Sequence, residues 1–364
     1  MLLFQRSKMP NLNISRLDFA RKRRQLTQKK LAELAGVTPN TLSRLVKGIT
    51  LDPSLETVAS LAKALNYPVD FFLQDDLDQL HEKQVSFRSL KAMTAGQTAA
   101  ALASGALGYL FNDWVTARFN LPSADLPDLR DEDPVTAAAS IRRHWGLGFR
   151  PIPNLIKMLE AKGVRVFTLS EGKNVDAFSF WRDGTPYIFL NTLKSAERSR
   201  FDAAHELGHL LMHAHGYTEG ADVERDADAF ASNLLIPRED LIANLPHVRS
   251  LSQIIASKHR WGVSVPALAR SLKDCEVLSD WHYREICKQI AISGYRTKEP
   301  NPIEREYSVL WRKVLEELWK DRFTKESIAK QLSLPLDEME TLLQGVMGAK
   351  GIPSKSETRA LKVV

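Results

Sequence analysis

The sequence predicts a mainly α-helical fold with one small antiparallel β-sheet, an α+β arrangement. Three observations carry this expectation. Apolar residues recur at helical spacing over most of the chain. The exceptions are short apolar or alternating runs at 164–169, 177–181 and 187–190, which read as strands. Between the last two, Arg182-Asp183-Gly184-Thr185 has the chemistry of a tight hairpin turn.

Residues 1–75 begin the order. Leu31, Leu34, Val37, Leu42 and Leu45, then Val58, Leu61 and Leu65, mark the inner faces of short helices. Thr27 and Thr38 suit N-caps, and Gly36 and Gly48 suit helix ends. Residues 76–135 read as a connector, with an Ala-rich helix at 92–119 and a Pro/Asp-rich linker at 121–134. Residues 136–245 hold helices at 137–145 and 152–162, the three strands, and helices at 195–213 and 221–235, the last stopped by Pro237. Residues 246–364 read as helical, and 325–345 echo a helix-turn-helix.

Length and charge narrow the function. A chain of 364 residues supports two or three domains. Residues 1–50 hold eleven Lys/Arg against Asp18 and Glu33, or +9, so the total of +6 leaves −3 for the rest. One basic end suggests a polyanionic partner. Cys275 and Cys287 form no CxxC pair and read as free thiols in a reducing cytoplasm. The apolar residues 1–4 are too few for a signal peptide, and 98–111 falls short of the roughly 20 residues a membrane span needs. A cytoplasmic protein with no membrane partner is expected.

The segment AAHELGHLLMH, residues 203–213, carries the sharpest chemistry. His205 and His209 stand four apart, so a helix projects both imidazoles from one face. Such a pair can share a Zn²⁺ at about 2.0–2.1 Å, and Glu206 beside the first ligand is placed to act as general base. Gly208 lets a neighbouring backbone approach. A catalytic zinc needs a third protein ligand, and Glu224 on the next helix is the candidate. Asp228, one turn on, can accept from a ligand histidine and fix its tautomer. His213 reads as a supporting or surface histidine.

This region resembles the ImmA/IrrE family of zinc metallopeptidases over roughly residues 135–245. Three blocks match in order: DAFSFWRDGTPYIFLN at 176–191, AAHELGHLLMH at 203–213 and ERDADAFASNLLIP at 224–237. The resemblance implies zinc on His205, His209 and Glu224, with Glu206 catalytic. It also implies a gluzincin-like fold, in which an edge strand aligns an extended substrate. Position 228 is Asp, where many relatives carry Asn; either can hold a histidine.

At the other end, residues 27–45 read as two short helices around a tight turn. The second presents Asn40, Thr41, Ser43 and Arg44. Asn suits adenine, Arg suits guanine, and Ser/Thr reach phosphates or bases. Thr38 at its start and Gln28 at the start of the first helix complete the expected DNA contacts. The basic run Arg21-Lys22-Arg23-Arg24 would add salt-sensitive attraction. Residues 12–75 resemble the Cro/cI-type (XRE) helix-turn-helix family. That resemblance implies a five-helix domain on a double-stranded DNA operator, commonly as a homodimer.

Two functions from different classes follow. One is a DNA-binding transcriptional regulator with a zinc-dependent endopeptidase domain; the resemblance implies a repressor protein as substrate, cleaved to derepress genes. The other is a transcriptional repressor or antitoxin-like regulator whose peptidase-like domain only senses or binds. The helical C-terminal region shows no chemistry of its own; it can serve a partner, a second DNA contact or a dimer surface. Trp261, Trp281, Tyr283 and Trp311 read as its core.

Overall fold

The computed structural model describes residues 12–50, 53–87, 93–169, 172, 175, 177–213 and 220–348. Residues 1–11 and 349–364 of the outer expected domains, and residue 92 of the expected connector helix, lie outside the described residues.

The N-terminal unit is built from α1 (Ile14–Arg23), α2 (Gln28–Ala35), α3 (Pro39–Val46) and α4 (Leu55–Leu65). A side chain starts each helix: Asn13, Thr27, Thr38 and Ser54 each accept from the backbone N–H three residues on. Gly36, with φ 66°, closes α2 in the left-handed conformation. Leu17, Leu31, Leu42, Leu45, Leu61, Leu65 and Phe71 fill the core. The expected fifth helix is a 3-10 turn, Val69–Leu73, which follows Pro68.

The sheet holds β1 (Ser86–Phe87), β2 (Arg165–Leu169), β3 (Ala177–Arg182) and β4 (Thr185–Asn191), in the order β1-β3-β4-β2. The β3–β4 hairpin turns through Asp183 (φ 49°) and Gly184 (φ 72°), the two positive angles that a type I′ turn requires. The sheet is mixed, which corrects the wholly antiparallel expectation: β2 runs parallel to β4, from Arg165↔Tyr187 to Leu169↔Asn191. β3 reverses the direction of β2 and β4 reverses it again. Seated between them, β4 must therefore run with β2.

Alternation along β3 sends Phe178 and Phe180 to one face and Ala177, Ser179 and Trp181 to the other. The first face is aromatic, and Phe167, Phe178, Phe180, Tyr187 and Phe189 are all buried. Across it lies α5 (Ala95–Thr116), the helix expected as a connector. Its small residues let it settle directly on the rings: a Cβ at Gly108 would stand 2.5 Å from Phe189 Cζ. Hence α5 is a layer of the core and not a spacer. The opposite face receives α8 (Ala196–Met212).

Around this centre pack α6 (Pro134–His144), α7 (Leu155–Ala161), α9 (Ala221–Leu235), α10 (Arg238–Asn244), α11 (Leu251–Ser257), α12 (Val265–Asp274) and α13 (Asp280–Ile292). The last of the described helices are α14 (Leu310–Lys320), α15 (Lys325–Gln331) and α16 (Leu336–Met347). Trp261 and Trp311 are fully buried, as expected, and Trp311 stacks on Phe167 with centroids 4.9 Å apart. Trp281 departs from expectation: it is 65% exposed, in the first turn of α13 and away from the buried Ile286 and Ile290. Tyr283 is half-buried.

Buried charges strap the C-terminal third to the start of α8. Lys258 Nζ lies 2.8 Å from Glu197 Oε1 with both side chains fully buried, and the same oxygen accepts from Ile303 N. Glu306 pairs with Arg200 and accepts from Leu155 N and Ile156 N.

Helix α16 packs on the sheet and holds the N-terminal unit. Val346 N donates to Thr168 Oγ1 on β2 at 3.0 Å, and Gly345 leaves room for Thr168 and Thr192. At the other end of α16, Arg23 Nε sits 2.8 Å from the buried Glu338 Oε2, and Tyr67 Oη donates to Glu338 Oε1 at 2.9 Å. Arg24 pairs with Asp337 at 2.7 Å. The second helix of the 325–345 echo thus packs into the molecule. Glu338, Met339, Leu342, Leu343, Val346 and Met347 of that helix are buried. Removing one partner of a buried ion pair costs about 3–5 kcal/mol. Glu338→Ala should accordingly speed hydrogen exchange in α1 and α16 and leave β3 and α8 unchanged; unaltered exchange in α1 would show that the dock does not form.

Candidate functional site

Ser195 starts α8 by accepting from Arg198 N, and the helix runs unbroken through both histidines. His205 is fully buried, His209 is 3% exposed, and helical spacing puts their Nε2 atoms 3.0 Å apart. Beside α8 runs α9. A Cβ at Gly208 would stand 2.9 Å from Phe230 Cδ1, so what approaches this glycine is the Phe230 ring, where sequence reasoning had expected a backbone. That contact lays the first turn of α9 across the histidines. Glu224 lies in that turn, where the helix N-terminus favours a carboxylate. Its Oε2 is 3.3 Å from His205 Nε2, and its Oε1 is 3.5 Å from His209 Nε2.

These distances test the fit to a metal ion. Ligand atoms about 2.0–2.1 Å from a tetrahedral ion stand roughly 3.3 Å from one another. The ligand atoms of His205, His209 and Glu224 all lie within 4.8 Å of one another, and the three closest approaches, at 3.0, 3.3 and 3.5 Å, bracket the tetrahedral value. The chemistry agrees. His205 Nδ1 is 2.9 Å from Asp228 Oδ1. An ionised carboxylate only accepts, so Nδ1 carries the proton and Nε2 offers a lone pair. His209 Nδ1 likewise meets His213 Nδ1 at 2.9 Å. Two imidazole lone pairs and a carboxylate facing one another repel unless a cation lies among them. The donor set fits a divalent ion.

Electrostatics sharpen the picture. Protons on the facing nitrogens of His205 and His209 can stand in for a cation: burial acts to raise the Glu224 carboxyl, but hydrogen bonds and charge from the two protonated rings then hold it well below the carboxylate range. His213 is lowered to about 4, first by burial and then by His209. Glu206 is fully buried, and burial pushes its carboxyl up to about 7 against the opposing pull of His205 and Ser179. A divalent cation beside it would draw it back down. Oε2 of Glu206 accepts from Ser179 Oγ at 2.7 Å; Oε1 has no hydrogen-bond partner among the described residues.

Sequence reasoning missed Ser179. The available signal was a lone hydroxyl between Phe178 and Phe180, which alternation turns toward α8. It also left His213 undecided, although its spacing from His209 repeats that between His205 and His209.

The N-terminal unit presents a second candidate surface. Asn40, Thr41 and Arg44 on α3 are exposed, as is Gln28 at the head of α2; Ser43 is half-buried. Thr38 caps α3, and its Oγ1 lies 2.8 Å from Thr41 Oγ1, so these hydroxyls already partner each other. The neighbouring basic run is more committed than its charge suggests. Arg21 and Lys22 pair with Asp18, Arg23 with Glu338, and Arg24 with Asp337. Long-range attraction to a polyanion then falls more heavily on residues outside the run, such as Lys29, Lys47 and Arg44.

Among the described residues, no helix is long and apolar enough to cross a membrane. The family described as IrrE N-terminal-like domain matches residues 159–273, and the family described as helix-turn-helix matches residues 19–72. No curated protein matches the chain. The first match contains α8, α9 and every residue of the histidine–carboxylate cluster, and the second contains α2 and α3. One polypeptide thus joins an XRE-type helix-turn-helix DNA-binding domain to an IrrE-like peptidase domain.

Proposed function

We propose that this DNA-binding regulator is a zinc-dependent endopeptidase that cleaves a repressor protein and so releases the genes it silences. One observation carries the reading: two imidazole nitrogens and a carboxylate from separate helices converge beside a fully buried glutamate with one unpartnered oxygen. His205, His209 and Glu224 would hold Zn²⁺, with Asp228 fixing the ring of His205. The bound ion supplies a Lewis acid that polarises the scissile carbonyl and acidifies water. Glu206 does the proton work: Oε1 accepts from the attacking water and returns the proton to the leaving amide nitrogen. A cavity of 370 Å³, lined by Trp181, Leu210, Leu211 and His213 with Asp128 and Arg130 also on its wall, offers a place for a substrate side chain.

The helix-turn-helix domain brings this chemistry to DNA, where repressors are found, and the family likeness supports the same substrate class. On α3, Asn40 and Arg44 read bases; Gln28, Thr38, Thr41 and Ser43 set the register on the backbone. A sensor that only bound zinc would have no use for a general base, and this favours hydrolysis over the sensing alternative.

Glu206→Gln keeps the size and removes the base. The variant should retain zinc, lose about 10²–10⁴-fold in cleavage of a co-expressed repressor, and lose gene control in vivo. Intact gene control in a zinc-loaded Glu206→Gln chain would transfer the function to sensing. Arg44→Ala should weaken operator binding by about 1–3 kcal/mol, measured by titration at fixed salt, and leave hydrolysis unchanged. Equal affinity for both proteins would remove α3 as the reading helix.

A further inference from the structure

Ser179 stands on a strand, 27 residues before the glutamate it touches, and nothing about the histidine pair calls for it. Its hydroxyl is 2.7 Å from Glu206 Oε2 and 3.3 Å from Glu206 O, and the residue is 1% exposed. The Ser179 hydroxyl is the donor to this oxygen, and a cation beside Glu206 would keep the carboxylate ionised and purely accepting. We propose that Ser179 is the positioning residue of the peptidase site, holding Glu206 by one oxygen so that the other meets the reacting water. This rests on the reading of Glu206 as proton acceptor given above.

Three features support the role. Glutamate has several rotatable side-chain bonds, and helix α8 fixes only the first atoms of it. A hydrogen bond at the carboxylate fixes the far end. Next, Ser179 is itself immobilised from both sides: its backbone lies opposite Ser86 of β1 and Ile188 of β4, in the middle of the ladder. An interior ladder position delivers a side chain with less freedom than a loop would. Last, the two carboxylate oxygens are unequal. Oε2 is spent on Ser179, while Oε1 is buried without a hydrogen-bond partner among the described residues. A buried acceptor left open carries a desolvation cost, which a proton-bearing ligand would relieve. Pinning Oε2 therefore decides which oxygen remains for chemistry.

The role predicts a loss in turnover and not in binding. In the zinc-loaded full chain, Ser179→Ala should lower kcat on the order of 10²-fold with KM and zinc content unchanged, since a misplaced reacting group costs about that much. Ser179→Thr, which keeps the hydroxyl, should recover most of kcat. A second measurement needs no hydrolysis. Melting temperatures of the metal-free Ser179→Ala, Glu206→Leu and double variants should show less than additive losses, because either substitution alone removes the one bond. Additive losses overturn the proposal, as does an unchanged kcat or a loss confined to KM. If the losses are coupled but the wild-type chain hydrolyses neither a co-expressed helix-turn-helix repressor nor casein, the contact is real and the peptidase reading has failed. The positioning role then falls with it.

Discussion

Everything in this molecule depends on the packing of α9 against α8 at Gly208. The ring of Phe230 occupies the space that a Cβ at position 208 would take. This close approach places Glu224 within 3.3 and 3.5 Å of two histidine nitrogens held four residues apart by α8. A longer interhelical distance would leave two imidazoles on a helix with no carboxylate facing them. The site is thus a property of one helix pair, and the remaining elements keep that pair in register. The sheet backs α8, α5 backs the sheet with small residues, and the Lys258–Glu197 pair ties the start of α8 to the C-terminal third.

That arrangement concentrates cost where the chemistry is. His205, Glu206 and His209 are nearly or fully buried, and each needs a partner to justify its burial. Asp228 answers for His205, His213 for His209, and Ser179 for half of Glu206. What is left over, three facing acceptors and the open Oε1, is the part that the proposed cation and substrate would satisfy. The unsatisfied remainder of the polar network marks the functional centre more sharply than any single residue does.

Much of this was legible in the residues, and the parts that were not share a cause. The histidine pair and Glu206 follow from helical periodicity alone, and the β3–β4 turn follows from Asp183-Gly184, because local rules determine them. The direction of β2 was hidden, since pairing partners far apart in sequence leave no periodic mark. For the same reason α5 read as a connector: an Ala/Gly-rich helix looks like filler until an aromatic sheet is found beneath it. Arg23 and Arg24 read as surface charge because Glu338 and Asp337 lie more than 300 residues away. Their pairing with α16 joins the DNA-binding domain to the helix that packs on the peptidase sheet, a physical link that composition conceals.

The most direct measurement is the zinc content and affinity of the purified full chain beside a Glu224→Ala variant. About one zinc per wild-type chain is expected, with an affinity loss of at least on the order of 100-fold when the carboxylate is removed. Zinc bound equally well by both proteins, or by neither, would contradict it.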